Sequence, residues 1–501
     1  MTESKKALVV VVSNWVNTLV HYVIAFISTP IIVHSLGNSK YGIWSLAISV
    51  TGYYGILDFG IRSAITKYFA QFSAADESKK CNQLISTYIV LYFFISIIIF
   101  LIATIIAIYS TDLFKIDENF KPEIFAVVMI TGGNLSLSFV FKTFSAVIVA
   151  LRRSEIISFF EGFFGIIRTV IIIALLKSGF SLIEMAWVVL ICDLMTNVSL
   201  LVYAYRLFPD LKVNKNNFSK GMIKETLAFA YHNFIFHMST IVTARLDQIL
   251  IGVLLKVDLI VYYAIAESLL SYIGKMPKGI ITAILPFASY FNSKSNKKML
   301  EFLTYIVTKY MLTIMLFGLF GCFEFGSQVI YFWMGEGFEE SWLILLILMI
   351  SSVITQTYSV LGRTLAGIGI VKEFSTISIC DVVLNLLFSV ILIKIYGLIG
   401  VASATLLSTF ITRVIILPNL IGSKDFFSFV KFLQRTIVPS IISFSIFLVL
   451  YYLMKFFWDF KYSSITNLIY YILLSTLLFA LISKFFVFKE ISYKKKIIIN
   501  F

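Results

Sequence analysis

Basic residues stand inside long apolar runs at Arg62, Lys142, Arg168, Arg245, Lys275, Lys278, Lys309 and Arg413, and acids stand there at Asp58, Glu161, Asp193 and Asp247. At the centre of a membrane-spanning helix each ionised side chain costs roughly 2.5–3.5 kcal/mol, so such groups pair with one another or face a polar cavity. Spacing offers three pairings: Asp58 with Arg62 at i, i+4, Glu161 with Arg168 at i, i+7, and Asp193 or Asp247 across helices. Lys142, Lys275 and Lys278 have no acid three or four residues away. A basic interior suits an anionic substrate, because a phosphate leaves water only where opposite charges replace its hydration. Arg168 and Lys275 fall nearest the middle of their runs, whereas Lys309 lies close enough to the cytosol to snorkel.

Uncharged polar residues add to this set. Asn14, Asn17 and His21 recur at i, i+3 and i+7, which gives the first apolar run one polar helical face. Gly274-Lys275-Met276-Pro277-Lys278-Gly279 sets a proline among lysines and glycines. Proline removes a helical hydrogen bond, so a break is expected there, and breaks at mid-membrane serve binding. His232 and His237 lack an acid to complete a ligand set, so neither a metal nor a cofactor is expected. No GxSxG, HExxH or Walker loop points to hydrolysis or an ATP motor.

Spanning helices must position these groups. Of 501 residues, 59% are hydrophobic and 14% charged, which excludes a soluble globule. The chain reads as an all-α polytopic membrane protein with about fourteen transmembrane helices at about 20 residues each. The first run, to about Val33, exceeds the ~7–15 residues of a signal-peptide core and is expected to remain as a span. Six runs occupy residues 1–208, a polar and basic connection follows at 209–224, six more runs occupy 225–423, and two further helices and a basic tail occupy 424–501. The shift that superposes Ile31 on Ile249 also superposes Leu36 on Leu254 and Tyr54 on Tyr272. Because six is even, the two lobes are expected to be parallel repeats, with substrate between them near the midplane.

The net charge of +14 reads as membrane topology and not as nucleic-acid binding. Alternate loops carry Lys67, Lys79, Lys80, Arg152, Arg153, Arg206 and the lysines of 209–224 and of the tail. The opposite loops hold far fewer, among them Lys40, Lys115, Lys177 and Lys256. The richer side, and with it both termini, is expected to face the cytosol.

The segment Pro30 to Ala70 carries Pro30, Leu36-Gly37, Tyr41-Gly42 and Leu57-Asp58-Phe59-Gly60, and a second segment reads Arg245-Leu246-Asp247-Gln248-Ile249-Leu250-Ile251-Gly252. In these residues the chain resembles the O-antigen-type lipid-linked oligosaccharide flippases of the multidrug/oligosaccharidyl-lipid/polysaccharide exporter superfamily. The resemblance implies alternating access by rocking lobes in the bacterial cytoplasmic (inner) membrane. Undecaprenyl-pyrophosphate bearing one oligosaccharide unit would cross from the cytoplasmic to the outer leaflet, coupled to H+ or Na+ and in contact with polysaccharide polymerase and assembly proteins. Arg168, Lys275, Lys142, Arg245, Lys278, Asn14, Asn17 and His21 are then the expected headgroup and glycan residues. Asp58, Arg62, Asp193, Asp247 and Glu161 are the expected gate or ion-coupling residues.

The alternative within the superfamily is a small-molecule or drug antiporter. Drug-exporting relatives often carry an acid in the first helix, and none stands between Val9 and Val33. An enzyme, a glycan polymerase or ligase, would need a large outer loop, and the longest here, Ser110 to Glu123, is short.

Overall fold

The computed structural model describes residues 3–226, 245–275, 278–370, 372–421, 428–457 and 464–486, with only the backbone at some helix positions, including 3–16, 275 and 278–280. Among the described residues every regular element is helical. Water is absent from hydrocarbon, so a spanning backbone must satisfy its own hydrogen bonds, and helices do that. Eleven segments among the described residues are long and apolar enough to cross a membrane. The chain is therefore a multi-pass, all-helical membrane protein.

The expected count of about fourteen differs from eleven for two reasons. Asn17–Asp58 and Thr376–Leu420 have 42 and 45 residues, about twice the ~20 that one crossing needs. Each contains a glycine with non-helical dihedrals: Gly37 at φ 75°, ψ 169°, and Gly397 at φ 57°, ψ −131°. Positive φ is open to glycine because it lacks a Cβ. Around Gly397 the contacts nest: Gly400 lies on Leu392, Asn385 on Thr405 and Asp381 on Arg413. That nesting is an antiparallel helical hairpin. The seventh expected crossing, 225–255, falls largely on residues outside the described ones.

A Cβ at Gly400 would overlap the Leu392 carbonyl oxygen, whereas one at Gly321 would meet nothing within 4 Å. Gly400→Ala is expected to cost about 1–3 kcal/mol, because backbone must shift to admit the methyl group. Gly321→Ala should be neutral or stabilising, and thermal melts of the two purified variants compare them.

The chain divides into two compact units, Met1–Val261 and Tyr262–Phe501. The first holds α1 (Glu3–Tyr53), α2 (Ile61–Ala74), α3 (Ser78–Ile108), α4 (Ser110–Leu113), α5 (Lys121–Ala150), α6 (Ser154–Lys177) and α7 (Leu182–Leu207), and also the helical stretch 245–254. The basic connection 209–224 is hydrogen-bonded along α3 within this unit. Asn82 Nδ2 donates to the Asp210 carbonyl at 2.9 Å, Lys212 N–H donates to Asn82 Oδ1 at 2.8 Å, and Ser219 N–H donates to Thr87 Oγ1 at 3.0 Å.

A helix that starts at the boundary, α8 (Ile260–Lys275), leads into the second unit. There follow α9 (Lys278–Ser293), α10 (Lys297–Met334), α11 (Glu340–Gly367), α12 (Lys372–Thr409), α13 (Leu417–Ile421), α14 (Phe429–Phe432), α15 (Val438–Phe457) and α16 (Ile465–Phe486). Phe317, Phe320, Phe447, Tyr451 and Phe479 form an aromatic core among α10, α15 and α16. Lys309, expected to snorkel, is only 3% exposed on α10, so it is buried and does not reach the aqueous surface.

Candidate functional site

Four helices of the first unit meet at a polar column. α1 and α6 pack in parallel, because two glycines of α6 leave room. Asn17 Oδ1 stands 2.8 Å from where a Gly162 Cβ would be, and His21 Cε1 stands 3.0 Å from the same point at Gly165. α5 and α7 also run parallel. Asn134 Nδ2 donates to Asp193 Oδ2 at 2.8 Å, and one turn on, Asn197 Nδ2 donates to Ser138 Oγ at 3.1 Å. Parallel pairing of first with fifth and of fourth with sixth crossings is what an alternating up-and-down chain requires.

Between these helices lies a cavity of about 310 Å3, lined by His21, Ser138, Glu161, Arg168, Asp193 and Asn197 among others. Arg168 Nη1 donates to Asp193 Oδ1 at 3.0 Å, so both oxygens of Asp193 are engaged. Arg168, Asp193 and Asn134 each sit near the middle of their own helices. Of the pairings that spacing offered, Glu161 on its own helix or an aspartate across helices, Arg168 takes Asp193 of α7. The cavity thus presents one guanidinium and two carboxylates beside His21. Its arginine is already balanced.

Asp58 and Arg62 do not form the i, i+4 clip that one helix would allow. Phe59 and Gly60 adopt positive φ, 48° and 72°, and separate the 3-10 turn Tyr54–Asp58 from α2. Asp58 Oδ1 instead accepts from Tyr92 OH at 2.6 Å and meets Lys142 Nζ at 3.8 Å. Lys142 Nζ also lies 3.5 Å over the Phe139 ring, a cation–π contact strengthened by partial desolvation. Lys142 is two turns, about 12 Å, from Asn134 along α5 at 1.5 Å per residue.

Arg245 and Asp247 lie elsewhere. Arg245 Nε stands 3.1 Å from a Cβ position at Gly52, and both charges act on Tyr53. The neighbouring Gln248 Oε1 accepts from Ser45 Oγ at 2.9 Å and from Ser49 Oγ at 2.6 Å, so this stretch is tied to α1. The side chains of Asn14, Lys275 and Lys278, the expected break at Met276-Pro277, and His232 and His237 lie outside the described residues.

Several polar residues escaped the reading of the sequence. Asn134 and Ser138 precede Lys142 at four-residue spacing, and Asp193 and Asn197 repeat it on α7. In the second unit Asp381, Asn385 and Ser389 form another such stripe on α12. Asp381 Oδ2 lies 3.7 Å from Arg413 Nη2, and Asn385 Nδ2 donates to Thr405 Oγ1 at 2.9 Å. Arg413 belongs to a π-helical segment, Phe410–Ile416, a conformation concentrated at functional sites. Glu324 on α10 pairs with Lys455 and accepts from Tyr452 OH at 3.2 Å.

The fold resembles solved transporters. A lipid II flippase MurJ structure in an inward closed conformation superposes with a TM-score of 0.70, covering 97% of this chain and 100% of that one at 16% identity. An inward-facing multidrug resistance MATE transporter of the MOP superfamily superposes with a TM-score of 0.66, covering 81% and 96% at 15% identity. Among sequences, a putative O-antigen transporter of Shigella flexneri is 22% identical over 76% of this chain and 89% of its own length. A probable low-salt glycan biosynthesis flippase, Agl15 of Haloferax volcanii, is 25% identical over 34% of this chain, which spans only 36% of that protein. The family model described as polysaccharide biosynthesis protein matches residues 8–292, more than half of the chain. Matched by that model over more than half of its length, and folded like the solved transporters, the chain belongs to the polysaccharide biosynthesis protein family.

Proposed function

We propose that this protein is a flippase for lipid-linked oligosaccharides. It would carry undecaprenyl-pyrophosphate-linked repeat units from the cytoplasmic to the outer leaflet of the bacterial inner membrane, with both termini cytosolic. Alternating access would operate between the six-helix repeats 1–208 and 225–423, with partners in polysaccharide polymerisation and assembly downstream. The observation that carries the reading is Arg168, held at mid-helix by Asp193, whose other oxygen Asn134 engages, beside a polar cavity. The guanidinium that now gives one hydrogen bond to a carboxylate has a fork of donors that matches phosphate oxygens. Pyrophosphate and Asp193 would therefore compete for Arg168, and the displaced carboxylate would take a proton or Na+. Transport and ion coupling then share one residue pair. Asp58, Lys142, Tyr92 and Arg62 form a gate below it, while Lys275, Lys278 and Arg245 supply further cationic contacts along the path.

A small-molecule cation antiporter is the second reading, favoured by the two carboxylates, Glu161 and Asp193, that line the cavity. Purified protein in vesicles separates the two. The flippase is expected to move a fluorescent undecaprenyl-pyrophosphate oligosaccharide between leaflets, at a rate that responds to an imposed proton or Na+ gradient. Export of organic cations with no movement of the lipid-linked glycan would favour the antiporter and end the flippase reading.

A further inference from the structure

We propose that the cavity at the C-terminal end of α10 binds a sugar ring of the transported glycan through its hydroxyls and its apolar face, a subsite that rests on the flippase reading above. The cavity measures about 380 Å3 and is lined by Ser327, Gln328, Tyr331, Phe332, Gly335 and Glu339 among others, all in the second unit. Ligand pockets span roughly 300–1,000 Å3, so its size suits one ring or two and not a whole repeat unit.

Its chemistry is selective. Among the described residues no lysine or arginine lines it, so a phosphate entering would find no cation among them to replace its hydration. Gln328 Oε1 is buried without a hydrogen-bond partner among the described residues. A buried acceptor left unpaired is unfavourable, and a ligand hydroxyl satisfies it. Tyr331, 49% exposed, and Phe332 have ring centroids 5.6 Å apart and planes crossed at 74°. Their negative faces suit the weakly positive C–H edge of a pyranose.

The loop builds the acceptor end. Gly335 and Gly337 adopt φ of 83° and 91°, and their turn lets Gly337 N–H donate to Glu339 Oε1 at 3.1 Å. Backbone N–H groups of Glu339 and Gly337 hold the Glu339 carboxyl below the usual carboxylate range. It stays an ionised double acceptor, which suits a vicinal pair of hydroxyls.

Position agrees with chemistry. Lys297 and Lys298 stand at the opposite end of α10. At 1.5 Å per residue Gln328 is about 46 Å along the helix from Lys297, more than the roughly 30 Å of bilayer hydrocarbon. The cavity therefore lies across the membrane from the lysine-rich face, where a flipped glycan arrives.

The test uses the full chain in nanodiscs and, as probe, the free oligosaccharide released by mild acid from the lipid-linked glycan of the source cells, without lipid or phosphate. Saturation-transfer NMR is expected to show binding to the wild type. Tyr331→Ala and Gln328→Ala should each weaken it about tenfold, while Phe323→Ala, an exposed position outside the cavity, should not. Melting temperatures check that the variants remain folded, and Tyr331 is exposed enough that its loss empties no core. Equal binding by the wild type and both cavity variants overturns the subsite, as does absence of binding to the wild type or binding of tetraethylammonium in its place. Leaflet transfer of the intact lipid-linked glycan is measured in parallel. A wild type that flips while the cavity variants bind normally overturns the subsite alone. A wild type that does not flip, yet binds glycan in a manner sensitive to both variants, supports the subsite and overturns the flippase reading.

Discussion

Arg168→Ala is expected to reduce leaflet transfer of the lipid-linked oligosaccharide at least about 100-fold while the protein still reaches the membrane. A factor of 100 is about 2.7 kcal/mol, within the range expected from losing one or two charged hydrogen bonds to a phosphate at roughly 1.5–3 kcal/mol each. The variant also leaves Asp193 with Asn134 alone and the cavity with two carboxylates and no guanidinium. An anionic headgroup is then repelled where it was held. Stability should change less than transport, because both side chains of the pair are about a third exposed, and such pairs contribute up to about 1 kcal/mol. Arg168→Lys keeps the charge but loses the fork, so it should fall between the wild type and alanine. Asp193→Asn removes the competitor; it is expected to tighten substrate binding and slow release, lowering maximal rate and half-saturating concentration together. Initial rates in vesicles at matched protein density measure all three. Wild-type transfer by Arg168→Ala would remove Arg168 from the headgroup site.

How much of this was legible depended on whether the signal was local. Apolar runs of about 20 residues mark crossings because hydrocarbon thickness is a fixed length, and the turn glycines Gly37 and Gly397 sit where one run passes into the next. The basic members of the cavity were also visible, since an arginine in mid-span is costly without a reason. Which acid each base takes was not. Arg168 and Asp193 are 25 residues apart on different helices, and Asp58 reaches Lys142 only because Phe59 and Gly60 turn the chain away from Arg62. A left-handed phenylalanine is uncommon enough that no local rule anticipates it. Asp381 was overlooked for a related reason: its base, Arg413, lies across the hairpin at Gly397. Four-residue polar spacing on α5, α7 and α12 was the available clue, and a search for neutral polar stripes beside the charges would have found Asn134, Asn197 and Asn385.

Arg413→Met is expected to destabilise the second unit by about 3–5 kcal/mol, the range for removing one partner of a buried ion pair. Asp381 is 8% exposed and Arg413 9%, so neither charge can turn to water when the other is lost. Arg168 differs in this respect, and the two arginines should separate in experiment: Arg168→Ala melts near the wild type but does not transport, whereas Arg413→Met melts early. Asp381→Asn should be milder than Arg413→Met, because an amide still offers hydrogen bonds to Ser408 and Thr412, which neighbour the carboxylate. Replacing both residues by apolar ones, Asp381→Leu with Arg413→Met, should recover most of the lost stability, since two buried charges are removed together. The double-mutant cycle isolates the coupling as the difference between the double change and the sum of the singles. Transport by the stable double variant then decides what the pair is for. Near-normal rates would make it a structural lock for the hairpin. A folded protein that no longer transports would give Asp381 and the π-helical turn at Phe410–Ile416 a part in the cycle, where a carboxylate that exchanges its arginine for a cation allows the two helices of the hairpin to shift. A single Arg413→Met variant as stable as the wild type would refute the buried pair itself.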